Sequence, residues 1–227
     1  MSRFFRKLAH VIFPERCLFC GEVVREGEIF CNDCAEDTRQ PLHPVVCANC
    51  KAPFSECHCD LKTVTVYYYE EGAANAIRRM KFQQERLCAE QLAHILAEHL
   101  RTLGFTDFDV IVPLPLHWID RMTRGYSQTV WLAKALSKEL DIAYDTKTLQ
   151  KVRHTKKQHD LSQKERKRNL HGAFSCRYPE KLSGKRILLL DDVTTTGSTF
   201  REAGRALSEA DVEEIVCLAA AKTRFTE

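Results

Sequence analysis

The sequence predicts an α/β domain built on a mostly parallel sheet, with a small cysteine-rich module ahead of it. Three observations carry this. Eight of the eleven cysteines lie between Cys17 and Cys59. Past residue 60, a composition dominated by cysteine, proline and charge gives way to segments with apolar periodicity. Those segments alternate between strand and helix character, the order expected of a parallel sheet with right-handed crossovers. The boundary is placed so that residues 1–62 form the module and 63–227 the α/β domain.

Each element has its own warrant. TVTVYYY (63–69) is rich in β-formers and reads as a strand. Leu92, Leu96, Leu100 and Leu103 fall at helical spacing, and Gly104 is placed to end that helix. FDVIVPLP (108–115) is an apolar strand that runs into prolines. Val130, Ala133, Leu136 and Leu140 mark one face of the next helix. A basic stretch over 147–171 interrupts the pattern. The strand ILLL follows, then a helix with Phe200, Ala203, Leu207 and Ala210 on one face, then the strand EIVCLAAA.

Composition narrows the function classes. A formal net charge of +3 over 227 residues is only weakly basic, so a nucleic-acid reading has to come from local clustering. No apolar run approaches the roughly 20 residues that span a bilayer, and membrane insertion is not expected. The start, MSRFFRKLAHVIFP, lacks an apolar h-region and a small-residue cleavage site, and reads as a short amphipathic segment packing on the next module. A cytoplasmic location is expected.

In that reducing setting the cysteines point to metal rather than disulfides. Cys17-x2-Cys20, ten residues, then Cys31-x2-Cys34 is the spacing of one tetrahedral structural zinc with four thiolates. Cys47-x2-Cys50, six residues, then Cys57-His58-Cys59 also allows a single zinc, with His58 able to replace one sulfur. Alternatively, only part of this second cluster binds metal and the rest packs. Four protein ligands saturate zinc, so the module reads as scaffold or recognition surface. Cys88, Cys176 and Cys217 read as ordinary core or surface residues.

The chemistry concentrates in ILLLDDVTTTGSTF (187–200). Asp191 and Asp192 follow a buried strand, and the threonine-rich loop after them opens an amphipathic helix. Backbone N–H groups and hydroxyls at a helix N-terminus make an anion site. Gly197 lets the backbone close on a phosphate. Two carboxylates one turn away suit the cis hydroxyls of a ribose, directly or through magnesium. An ATPase reading would need GxxxxGK[ST], which the chain lacks.

Here the sequence resembles the type I phosphoribosyltransferases. The resemblance implies a parallel sheet with helices on both faces and phosphoribosyl pyrophosphate (PRPP) with Mg2+ as ligand. It puts Asp191 and Asp192 on the ribose hydroxyls and Thr195, Thr196, Gly197, Ser198 and Thr199 on the 5-phosphate. Purine-salvage members carry an acid at the position of Thr195, and threonine cannot act as that base, so purine salvage is disfavoured. VPLPLHWIDRMTRGYSQ (112–128) stands where the pyrophosphate loop lies in these enzymes, which adds Leu114, Pro115 and Arg124 as PRPP contacts.

That loop, GAANAIRRMKF (72–82) with Lys81, and the R-x4-Q…R-x2-N-x4-F pattern over 153–174 together resemble the ComFC/GntX family. Its members join a zinc module to a phosphoribosyltransferase-like domain. Ser127 replaces the family's usual asparagine, and the CxC departs from its second knuckle. The resemblance implies a role in DNA uptake during natural transformation, with single-stranded DNA and a helicase-like protein as partners. Two alternatives stand beside it: an active phosphoribosyltransferase with unknown acceptor, and a PRPP-sensing regulator. The basic segment reads as a solvated face, a loop covering PRPP, or a track for nucleic-acid phosphates.

Overall fold

The computed structural model describes residues 14–37, 46–119, 122, 125–153, 155 and 170–224. The amphipathic N-terminal segment, Arg124 and most of the basic segment lie outside these residues.

Five strands form one parallel sheet in the order β1-β7-β6-β2-β3, from Lys62–Tyr68 (β1), Val110–Pro113 (β2), Ala143–Tyr144 (β3), Arg186–Thr194 (β6) and Glu214–Lys222 (β7). Leu149–Lys151 (β4) and Phe174–Cys176 (β5) pair antiparallel as a separate two-stranded sheet. The pair brackets the basic stretch, with β4 at its start and β5 just beyond its end, and nothing in the sequence pattern predicts either strand. Its strands are three residues each, too short to show a period of two.

The alternation of side chains along β6 divides the core in two. Leu188 and Leu190 pack with Val216 and Leu218 under the helices Glu71–Phe82 (α2), Arg86–Thr102 (α3) and Gln128–Leu140 (α4). Ile187 and Leu189 pack with Cys217 and Ala219 against the helix Ser198–Ser208 (α5) and the β4–β5 hairpin. The central strands are therefore apolar on both faces, as buried parallel strands are. In α4 the core face is Leu132, Ala133 and Leu136, with Val130 and Leu140 only half-buried. Ala210 is buried but sits in the turn beyond α5. Gly104 follows α3 with φ +75°, as its place in the sequence predicts. No helix among the described residues is long and apolar enough to cross a membrane.

Both cysteine clusters fold as knuckles docked on this domain. In the first, Cys17 donates its N–H to the Glu22 carbonyl, and Gly21 donates back to Cys17. A short helix, Asn32–Asp37 (α1), carries Cys34. Phe19 lies so close to α2 that a Cβ on Gly72 would sit 2.3 Å from its ring, so only glycine fits there. The ring also meets Tyr67 edge-on, 5.3 Å between centroids. Arg79 of α2, 6% exposed, donates to the carbonyls of Cys17 (2.9 Å) and Leu18 (3.0 Å) and forks onto Glu85.

Candidate functional site

The acids sit near the carboxyl ends of the parallel strands, where open α/β sheets bind ligands. The strand does not end at them, however. β6 continues to Thr194, held by its register with β7, where Val193 faces Ala221 and Thr194 faces Lys222. Consecutive residues of a strand leave the backbone in different directions, yet the two carboxyls stay close enough for the Asp192 charge to act on Asp191. Asp191 Oδ1 accepts the Asp192 N–H at 2.8 Å. Asp192 is 4% exposed, and its Oδ1 lies 2.8 Å from the ammonium of Lys81, in the last turn of α2. Asp192 Oδ2 is buried with no hydrogen-bond partner among the described residues.

The electrostatics follow from this crowding. Burial and the adjacent Asp192 charge push the Asp191 carboxyl up to about 8, against the opposing pull of Lys81 and, more weakly, Lys151. Burial works against the charge of Lys81, but Asp192 and then Asp191 more than offset it and hold the lysine above its ordinary value. The raised Asp191 has a pH signature. Its ordinary value is 3.8, so between that and about 8 the folded protein binds a proton that the unfolded chain does not. The stability this proton supplies is present at low pH and lost as pH rises through the folded value. The ligand-free protein should therefore melt at falling temperature from about pH 5 to about pH 8.5, and Asp191→Asn should flatten that slope. An unchanged slope in the variant would assign the effect to other groups.

The loop after β6 has the form an anion site needs. Gly197 adopts φ +69° at the N-cap of α5. The hydroxyls of Thr196 and Ser198 lie 2.7 Å apart. Arg201, one turn into the helix, donates to the Thr196 carbonyl (2.8 Å) and to Ser198 Oγ (3.2 Å). Thr195 and Thr199 are part-exposed.

The loop after β2 joins the same end of the sheet. Leu114 donates its N–H to Leu190 at 2.8 Å, extending the β2–β6 ladder, and Pro115 follows. The Leu114 carbonyl accepts from the buried Thr129 hydroxyl (2.9 Å), which fixes the start of α4. Gly125 takes φ +73°, and the Tyr126 hydroxyl donates to the Lys81 carbonyl. Lys81, which sequence alone reads more readily as a solvated helix lysine, is thus tied at its backbone to this loop and at its ammonium to the acids. His117 is buried, and its Nδ1 accepts the Ile119 N–H at 3.4 Å.

The ligand atoms of Cys17, Cys20, Cys31 and Cys34 lie within 4.8 Å of one another, as do those of Cys47, Cys50, Cys57 and Cys59. Four convergent sulfurs in each case fit a closed structural zinc site. The second cluster uses all four cysteines, so the CxC spacing does not break it and His58 is not needed as a ligand.

Sequence reasoning missed Asn49, between the second cluster's first two cysteines. Its side-chain oxygen lies 2.9 Å from where a Cβ on Gly197 would stand. The two residues are far apart in the chain, and no local pattern links them.

Comparison with known proteins matches two family models: a double zinc ribbon domain over residues 8–63 and a phosphoribosyl transferase domain over residues 126–224. Competence protein F of Haemophilus influenzae is 34% identical over 211 residues, covering 91% of this chain and 90% of that protein. The DNA utilization protein YhgH of Escherichia coli K12 is 30% identical, covering 90% and 96%. Competence protein ComFC of Streptococcus pneumoniae is 23% identical, covering 88% and 96%. This chain belongs to the competence protein F, ComFC and YhgH family, in which a double zinc ribbon precedes a type I phosphoribosyltransferase-like domain.

Proposed function

We propose that the protein binds PRPP with Mg2+ at the carboxyl end of β6 and handles single-stranded DNA during DNA uptake in natural transformation. The observation that carries the ligand reading is the buried, unpartnered Asp192 Oδ2 beside the glycine loop. A buried carboxylate oxygen without a donor is costly, and a ribose hydroxyl or a hydrated cation supplies what it lacks. Asp191 and Asp192 would take the ribose diol and residues 195–199 the 5-phosphate. Lys81, Leu114, Pro115 and Arg124 would contact the pyrophosphate. Mg2+ would neutralise charge on the diphosphate. Mg2+ with PRPP should raise the melting temperature of the wild-type protein, and no shift at saturating PRPP would remove this reading.

The DNA part rests on the names of the relatives and on exposed apolar and aromatic side chains in α2 and around the β2–α4 loop. Phe82, Trp118 and Met122 are 70%, 61% and 76% exposed. Nearby, Tyr126 and Trp131 stack with centroids 4.6 Å apart, and the Arg86 guanidinium lies 5.1 Å over Trp131. Aromatic faces interleaved with cations suit unpaired bases and their phosphates. Binding of an oligonucleotide should weaken steeply with salt, and a flat response would sink a phosphate-tracking mode. A helicase-like competence protein is the partner this reading implies. An active phosphoribosyltransferase is the second reading. It would release pyrophosphate from PRPP when given its acceptor, and silence across candidate bases would count against it.

A further inference from the structure

The second zinc knuckle is wired into the phosphate loop. Asn49 lies inside the Cys47-x2-Cys50 turn, and its amide donates to the Leu61 carbonyl (2.8 Å) and to Thr63 Oγ1 (2.9 Å). Those bonds aim its oxygen at the Cα of Gly197, so close that a Cβ there would stand 2.9 Å away. The turn itself is pinned to the sheet. Ala48 donates its N–H to the Thr63 carbonyl (2.8 Å), Thr63 donates its N–H to Cys47 Sγ (3.4 Å), and Lys222 of β7 donates to the Ala48 carbonyl. Lys51 donates to Cys47 at 2.8 Å, closing the knuckle. Downstream, Gly204 of α5 carries Leu61 on its face, where a Cβ would come within 2.8 Å of a Leu61 methyl. The loop that opens α5 is thus backed by a turn of the second cysteine cluster as well as by Arg201 of its own helix, which would stand 3.2 Å from the same Cβ.

From this we infer that Asn49 is a positioning residue for residues 195–199, and that occupancy of the second zinc site sets how well that loop is formed. A knuckle turn of four residues has almost no apolar core and owes its shape to the metal. Losing the metal frees the turn, withdraws Asn49 from Gly197, and lets a left-handed glycine sample its other conformations. Among the described residues the first zinc site has no such contact. It packs on α2 through Phe19 and Arg79, away from the loop.

Amide hydrogen exchange on the full-length, zinc-loaded protein tests this without any ligand. Asn49→Ala should speed exchange at residues 195–199 by about 5-fold or more relative to the amides of 186–194, with zinc content unchanged. Cys50→Ser, which disables the second site alone, should do the same whether or not the Asn49 variant keeps its metal. Cys20→Ser, at the first site, should leave the ratio within about 2-fold of wild type. Equal exchange in the Cys50 variant and wild type overturns the inference, as does an equal response to Cys20→Ser. The ligand arm rests on the reading of the loop as a PRPP phosphate site. There, Asn49→Ala should weaken Mg2+–PRPP binding by a similar factor. If wild type ignores PRPP, that reading fails while the exchange result still decides the inference.

Discussion

Replacing Asp191 and Asp192 together by alanine is expected to remove most of the thermal stabilisation that the proposed Mg2+–PRPP ligand should give the wild-type protein. At a ligand concentration 100-fold above its dissociation constant that stabilisation is about 2.7 kcal/mol, or about 5–10 °C in a chain of this size. The double substitution deletes the one unpartnered buried oxygen in the site's acid pair together with its raised neighbour. It also strands Lys81, whose ammonium lies 2.8 Å from Asp192. Lys81→Met in the same background separates the two effects. It should recover basal stability without recovering the response to PRPP. A double variant stabilised by PRPP as strongly as wild type would place the ligand elsewhere.

Arg79→Met should destabilise the protein by about 3 kcal/mol although no ligand touches it. The guanidinium is 6% exposed and spends its donors on two backbone carbonyls of the first knuckle and both oxygens of Glu85. Methionine fills a similar volume but leaves those acceptors without donors. Arg79→Lys should recover only part of the loss, because an ammonium cannot reproduce the planar fork. Denaturant unfolding with zinc present measures the cost. Faster loss of zinc to a chelator from the first site would be its local signature. A change within about 0.5 kcal/mol of wild type would mean that the knuckle holds its place without this anchor.

What could be read from sequence follows the length of the elements. α3 and α5 repeat their period several times, β1 is rich in β-formers and the apolar part of β6 is an unbroken aliphatic run, and each appears where its residues predict. β3, β4 and β5 have two or three residues and sit among polar neighbours, so they leave no period to detect. The end of β6 was obscured for a different reason. Two adjacent acids look like a stop, yet the strand passes through them because β7 continues alongside to Lys222 and satisfies its backbone. That extension holds the acid pair within the strand rather than in a turn.

The metal clusters show the same division. Spacing alone assigns four thiolates to the first site, because two CxxC turns leave little choice. For the second it left open whether His58 or only some of the cysteines took part, and only convergence of the four sulfurs in space decided it. The acid pair, the glycine loop and the first knuckle were determined by the sequence itself, because each is a local arrangement whose chemistry depends on residues a few positions apart. The tertiary structure alone decided that Lys81 meets Asp192, that Arg79 clasps the first knuckle and that Asn49 backs Gly197. These contacts join segments widely separated in the chain, and only the packing of helix and ribbon onto one sheet brings them within reach.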